Sequence, residues 1–444
     1  MTETTNDLIV VVPGILGSVL ERDGKEFWNH SLAAMRRGLP PRRAARALSL
    51  HTPGTVRATG LISGLHVLPG LWGIDGYRSL LARLGRIGEV LPFPYDWRLS
   101  NAVNAGKLKD AVEARLCPGQ KAAYVCHSMG GLLTRYYLEV LGGRDTARRL
   151  ITLGTPHQGA AKAAAALTLG LASGARSRLG LAGLVLDDLH SVMSDFPSVY
   201  ELLPTYRCVD LGGGRMASLA DAPLPGIGGP LARDGAAFHR RIAEAVARNE
   251  PANYPTHLFG GHRHQTILSL RHDAAGTQAL STWDGDDPRG DGTVPRFASV
   301  TPESQDDTAV RFSGERHSAL ARASHVGDAV HALLTAQPVP RYQAAELELS
   351  LDLPELVAAG DALPIAVTTE SDRLALAPTA VPDDDSETVK GPVLRNLGNG
   401  HYGGDLILPR PGAWRVTVAS ISPSPAAPVS EIIIVATPFE MVAY

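Results

Sequence analysis

The sequence predicts an α/β domain built on a mainly parallel sheet, followed by an all-β sandwich. Three observations carry this. From Leu8 to about Pro340, short β-branched runs alternate with helical patterns, as a parallel sheet flanked by helices requires. After Pro340 the helical period disappears and alternating apolar residues take over. Between two of the early runs a serine sits in a Gly-rich strand-to-helix turn, Val125-Cys-His-Ser-Met-Gly-Gly131.

The elements follow in order. Leu8-Ile-Val-Val-Val12 is a buried strand by its unbroken apolar character, cut at once by Pro13-Gly14. Ala122–Cys126 and Leu150–Leu153 read the same way. Between them Leu132, Leu133, Tyr136, Tyr137 and Val140 recur at helical spacing, which predicts a helix over Gly130–Leu141. Val326–Leu334 is the final helical stretch. Beyond the linker around Gln337–Pro340, strand-like runs fall at Ala345–Leu353, Leu363–Thr369, Leu406–Leu408, Trp414–Ala419 and Glu431–Ala436. Pro, Gly and Asp clusters separate them, and about 100 residues of this kind predict an immunoglobulin-like sandwich. The expected division is therefore residues 1–340 and residues 341–444.

Composition narrows the function. The 444 residues carry a net charge of −3, so no domain-wide basic field points to nucleic acid. The 46 glycines and 32 prolines, against 5% aromatics, point to many shaped loops. Three cysteines, Cys117, Cys126 and Cys208, have no metal spacing and form no even set, which fits a reducing, cytoplasmic location. The first residues carry acids where a signal peptide wants bases, and no apolar run reaches the ~18 residues of a membrane span. No cofactor or metal is expected.

The turn at Ser128 carries the chemistry. A serine hydroxyl becomes a useful nucleophile when a tight turn exposes its Oγ beside a general base. Such an elbow needs small residues two before and two after the serine, because strand and helix backbones close on each other there. Gly130 meets the second need, and Cys126 stands at the first. The elbow predicts an acid and then a histidine further along the chain. Gly290-Asp-Gly-Thr-Val-Pro295 and Gly314-Glu-Arg-His317 supply them in that order. Asp291 is preferred over Asp284, Asp286 and Asp287 because glycines on both sides permit a tight bend, and His317 is preferred over His325. An oxyanion hole needs two backbone N–H groups. Met129 offers one, and the loop Val12-Pro-Gly-Ile-Leu-Gly-Ser18 offers the other, from Leu16 first and Ile15 second.

Together these motifs resemble the lecithin:cholesterol acyltransferase family of α/β-hydrolases. The resemblance rests on residues 12–18, on Pro94-Tyr-Asp-Trp-Arg98, on His127-Ser-Met-Gly-Gly131, on Gly154-Thr-Pro-His-Gln-Gly159, on residues 290–295 and on His317, and spans about residues 8–335. It implies an α/β-hydrolase fold with cap or lid insertions at about 22–75 and 160–254. It also implies Ser128 as nucleophile, Asp291 as acid, His317 as base, and the Leu16 and Met129 amides as oxyanion donors. The family deacylates a glycerolipid through an acyl-enzyme and passes the acyl group to an alcohol or to water. The expected function is thus that of a serine-dependent acyltransferase, lipase or phospholipase acting on lipid esters.

Ile15, Trp28 and His157 are candidate pocket residues, Trp28 because it lies in an early insertion that caps the acyl pocket in the family. Ala160 to about Tyr254 is too long for a simple crossover and predicts a cap, with Pro197–Leu203 as part of an apolar trough. Arg36, Arg37, Arg42, Arg43, Arg46 and Arg57 form an acid-free run suited to peripheral contact with anionic headgroups. The rival reading is an inactive or peptide-cleaving module whose sandwich binds a protein partner.

Overall fold

The structure is a computed structural model describing residues 4–28, 46–64, 66–68, 72–74, 76–170, 190–249, 253–304, 310–337, 347–383, 386–421 and 426–436. Arg36, Arg37, Arg42 and Arg43, residues 171–189 and the linker at 338–340 lie outside the described residues.

The central sheet comprises β1 (Leu8–Val12), β2 (Val90–Pro92), β3 (Ala122–His127), β4 (Ala147–Leu153), β5 (Thr256–Gly261) and β6 (Val310–Ser313). Six helices matter for the site: α1 (Arg78–Leu84), α2 (Asn101–Glu113), α3 (Met129–Val140), α4 (Ala161–Leu169), α5 (Gly229–Arg248) and α6 (Ser324–Leu334). The spatial order is β6-β5-β4-β3-β1-β2, every pairing parallel. Chain order turns back at β1, whose neighbours are β3 on one side and β2 on the other. Loops from opposite directions therefore separate at the carboxyl ends of β1 and β3, where open α/β sheets place their sites.

The unbroken apolar runs explain the sheet. All five residues of β1 and all six of β3 are buried, consistent with a sheet covered on both faces. Each fully buried aliphatic side chain contributes about 1.5–3 kcal/mol relative to exposure. The helix predicted over Gly130–Leu141 is α3, and ten of its twelve residues are buried. It is covered on one side by α5, where Tyr136 stacks on Phe238 with ring centroids 5.1 Å apart.

Of the first segment expected as a cap, Val56–Leu61 joins Ser18–Arg22 and Lys25–Trp28 in a three-stranded antiparallel sheet. The second supplies α4 and the helical turn Pro197–Tyr200. Its last part is α5, a helix flanking the sheet that leads directly into β5. A small four-stranded sheet joins Val209–Asp210, Met216–Ala217, Ser269–Asp273 and Gly276–Leu280.

The C-terminal region is a β-sandwich. One sheet orders Ser350–Asp352, Ala362–Thr368, His401–Ile407 and Arg395–Gly398. The other orders Leu356–Ala358, Val429–Ala436, Gly412–Ser420, Leu376–Pro382 and Val389–Lys390. Leu363, Ile365 and Val367 from the first meet Trp414, Val416 and Ile433 from the second in one core. Among the described residues no helix is long and apolar enough to cross a membrane.

Candidate active site

β3 ends at His127 and α3 begins at Met129, so Ser128 alone makes the turn. Its backbone sits at φ 52° and ψ −126°, outside the regions most side chains adopt. Such conformations cost about 1–3 kcal/mol and persist where the surroundings over-determine them. Here the Ser128 N–H donates to the Leu153 carbonyl at 2.9 Å, and the Ser128 carbonyl accepts from Thr155 Oγ1 at 2.9 Å and from the Gly131 N–H at 3.0 Å. Gly130 is required by close approach, since a Cβ there would stand 2.5 Å from the Pro13 carbonyl oxygen. Cys126 is fully buried with its Sγ 3.2 Å from Thr134 Oγ1 of α3, and burial pushes its thiol up to about 12. It fills the strand–helix interface as a neutral small side chain.

Ser128, His317 and Asp291 form one hydrogen-bonded line. His317 Nε2 lies 2.9 Å from Ser128 Oγ, and His317 Nδ1 lies 2.7 Å from Asp291 Oδ2. An ionised carboxylate only accepts, so Nδ1 carries the proton and Nε2 is left to accept from the serine hydroxyl. The other carboxylate oxygen, Oδ1, accepts from the Thr293 and Val294 N–H groups at 2.9 and 2.6 Å. Burial alone would raise the Asp291 pKa, but His317 beside it and those two N–H groups hold it below its ordinary 3.8. Gly154, at φ 62°, lies under the pair; a Cβ there would meet His317 Nδ1 at 3.0 Å. All three residues are nearly excluded from solvent, at 2%, 4% and 1% exposure for Ser128, His317 and Asp291. Low local dielectric strengthens each of these bonds.

The loop after β1 faces the elbow. Leu16 is at φ 67°, an uncommon state for a branched side chain, and Ile15 beside it is buried in the core. Three aromatic side chains hold this loop. The Gly14 N–H donates to Tyr77 Oη at 2.9 Å, Tyr95 Oη donates to the Pro13 carbonyl at 2.8 Å, and Trp28 Nε1 donates to the Leu16 carbonyl at 2.9 Å. Met129, the first residue of α3, has no carbonyl one turn back for its N–H. Trp28 is thus buried against the loop and edge-on to Trp97, with centroids 5.2 Å apart.

Tyr77 escapes a sequence reading because its partner is 63 residues away, and Tyr95, although inside the Pro94–Arg98 motif, meets a partner 82 residues away. Tyr77 Oη also lies 2.9 Å from His127 Nδ1, and His127 Nε2 lies 3.1 Å from the His317 carbonyl oxygen. That carbonyl accepts only, so Nε2–H donates to it and Nδ1 accepts from the tyrosine. Burial, with His317 alongside, pulls the His127 pKa down to about 3 and keeps the ring neutral. A continuous chain of hydrogen bonds therefore runs from the Gly14 amide to the backbone of His317.

The neighbouring motifs have structural tasks. Arg98 forms a bidentate pair with Asp96 at 2.8 and 2.7 Å and is 2% exposed, anchoring the 94–98 loop. His157 is buried, its Nε2 3.2 Å from Thr152 Oγ1, and it borders a mostly apolar cavity of about 610 Å³. Leu132, Tyr200, Leu203, Ile227 and Ile242 contribute apolar walls. Leu132, which lines the cavity, lies one turn along α3 from Ser128. His325, bonded to Ser313 at 2.7 Å, and the exposed Asp284, Asp286 and Asp287 take no part in the Ser128 line. Among the described residues no group of three or more His, Cys, Asp or Glu side chains is placed to hold a metal ion.

A parallel sheet with its nucleophile-type elbow at the switch point defines an α/β-hydrolase. Residues 72–221 match the lecithin:cholesterol acyltransferase family model, so the family resemblance holds over that stretch. It contains Pro94–Arg98, Ser128 and residues 154–159, whereas residues 12–18, Asp291 and His317 lie outside it. No curated protein matches the chain. Among solved structures, the mature Bacillus licheniformis lipase BlEst2 is 14% identical, covering 75% of this chain and 94% of that one with a TM-score of 0.35. Phospholipase PlaB from Legionella pneumophila is 13% identical, covering 84% and 90% with a TM-score of 0.34. A metagenomic carboxyl esterase, MGS0156, is 14% identical, covering 59% and 51% with a TM-score of 0.27.

Proposed function

We propose that the protein is a serine-dependent enzyme that cleaves lipid esters through an acyl-enzyme and passes the acyl group to water or an alcohol. The family match supports the broader class, acyltransferase or ester hydrolase. The observation that carries the finer reading is the line Ser128 Oγ, His317 Nε2, His317 Nδ1, Asp291 Oδ2 at the end of β3.

In this mechanism His317 takes the Ser128 proton as Oγ attacks the ester carbonyl, and Asp291 stabilises the imidazolium that forms. The carbonyl oxygen becomes an oxyanion held by the Met129 and Leu16 N–H groups. Collapse expels the alcohol, which takes the proton from His317, and leaves an ester on Ser128. Water or a second alcohol then gives its proton to His317 and attacks that ester; collapse breaks the acyl–Oγ bond, Ser128 Oγ takes the proton back from His317, and the free acid or new ester leaves. The apolar cavity beside α3 supports an acyl chain as the group carried, since lipid sites need mostly apolar walls.

The test is Ser128→Ala in the full chain, incubated with glycerolipids carrying labelled acyl chains, with and without an alcohol acceptor. Free acid or new ester from the wild type, and neither from the variant, is the expected result. Equal turnover by both would overturn the reading. Absence of fluorophosphonate labelling on Ser128 would favour a silent module instead.

A further inference from the structure

The C-terminal sandwich meets the loop that bears His317 through the Glu431 carboxylate and the Leu351 carbonyl. Glu431 lies in the strand Val429–Ala436, which is held against Gly412–Ser420 along its length. Glu431 Oε2 pairs with Arg316 Nε, and Glu431 Oε1 accepts from Ser318 Oγ at 3.0 Å. Arg316 and Ser318 are the residues on either side of His317. The Arg316 and Glu431 side chains are only 12% and 14% exposed, so the pair is little screened by solvent. Arg316 Nη1 also donates to the Leu351 carbonyl of the sandwich. Its guanidinium lies over Gly292, the residue after Asp291.

A loop residue cannot hold an imidazole to the required tolerance by itself. Reacting groups must stay within about 0.5 Å of their productive geometry, and supporting contacts set that tolerance. The loop bearing His317 is tied on one side by the Asp291 carbonyl, which accepts the His317 N–H at 2.9 Å, and by His127. On the outer side the ties come from the sandwich. Arg263, by contrast, pairs with Glu348 and Glu370 and not with the partners of Arg316 or Ser318.

We propose that Glu431 is a positioning residue: through Arg316 and Ser318 it fixes the loop that presents His317 to Ser128, which makes the sandwich part of the active site's construction. This rests on the reading of Ser128 as nucleophile and His317 as base.

The experiment uses the full chain, a soluble p-nitrophenyl ester and active sites titrated with a fluorophosphonate, so that turnover is counted per functional serine and a loss of folded protein does not register. Glu431→Ala is expected to lower kcat per titrated site roughly 10- to 100-fold with KM little changed, the scale of an ångström-sized misplacement. Glu431→Gln, which keeps a partner for Ser318 but loses the ion pair, is expected to fall between. If the alanine variant does not fold, the glutamine variant carries the test. Arg316→Ala combined with Glu431→Ala is expected to lose less than the product of the two single effects, because the two share one ion pair. Arg263→Ala, which removes contacts between the two regions elsewhere, is expected to keep wild-type kcat. Wild-type kcat in the Glu431 variants, or an equal loss in Arg263→Ala, would overturn the proposal. Ser128→Ala is run alongside: if it turns over ester like the wild type, the underlying reading has failed, whereas an inactive Ser128→Ala with fully active Glu431 variants rejects the positioning role alone.

Discussion

Asp291 spends its two carboxylate oxygens on different tasks, one on the imidazole and one on the N–H groups of Thr293 and Val294. The first sets the tautomer and the second sets the direction of the carboxylate. Asp291→Asn keeps the shape but allows the amide to present a donor toward Nδ1, reversing the tautomer. A fall in kcat on the order of 10⁴ is expected, measured on a soluble ester. The same residue has a pH signature. Its folded-state pKa lies below the ordinary 3.8, so its contribution to stability is complete above 3.8 and is lost as pH falls through the lower folded value. Denaturant melts of wild type and Asp291→Asn on either side of that value should diverge less as the acid range is entered.

At the scale of elements, the loop after β1 and the elbow after β3 are held by side chains from distant parts of the chain. Tyr77, just before α1, accepts from the Gly14 N–H and donates to His127. Tyr77→Phe strands a buried N–H and a buried imidazole nitrogen, each worth about 1–3 kcal/mol when left unpaired. Lower stability in urea and a lower kcat are expected together, whereas a variant matching the wild type in both would show the tyrosine hydroxyl to be dispensable. Another inter-element contact is sensitive to pH. Glu201, after the turn Pro197–Tyr200, accepts from Ser100 Oγ and the Asn101 N–H at the start of α2, both at 2.6 Å. Burial outweighs these bonds and raises its pKa from 4.5 to about 7. A raised folded pKa means the stability it confers is full below 4.5 and lost as pH rises through about 7. At about 1.4 kcal/mol per unit the effect is a few kcal/mol at most. The Tm of the wild type should fall across that window more than that of Glu201→Gln.

At the scale of the whole molecule, what was legible in the sequence is what local pattern determines. Unbroken apolar runs mark β1, β3 and β4 because a sheet covered on both faces buries every side chain. The helical repeat of Leu132, Leu133, Tyr136 and Tyr137 marks α3. Ser128, Asp291 and His317 were legible because strained turns need glycines around them, and the structure brings these three together. Tyr77 was not, since it meets Gly14 and His127 only after folding; Trp28 and the Pro94–Arg98 run stood out in the sequence, but their bonds to Leu16 and Pro13 did not. Strand Leu376–Pro382 was hidden by Pro378 and Pro382, which ordinarily argue against a strand between two others. The contacts of Glu431 with Arg316 and Ser318 join residues 115 and 113 positions apart, beyond any motif.

The separation of Ser128 from His317 has a consequence in time. The bond between them spans 189 residues. At about 5–20 residues per second, a ribosome makes the serine roughly 10–40 s before it makes the histidine. On the proposed reading of Ser128 as nucleophile and His317 as base, the emerging chain carries throughout that interval an elbow without its base, and its hydroxyl has the reactivity of an ordinary alcohol. Synthesis from one end to the other would then delay the appearance of that nucleophilic power.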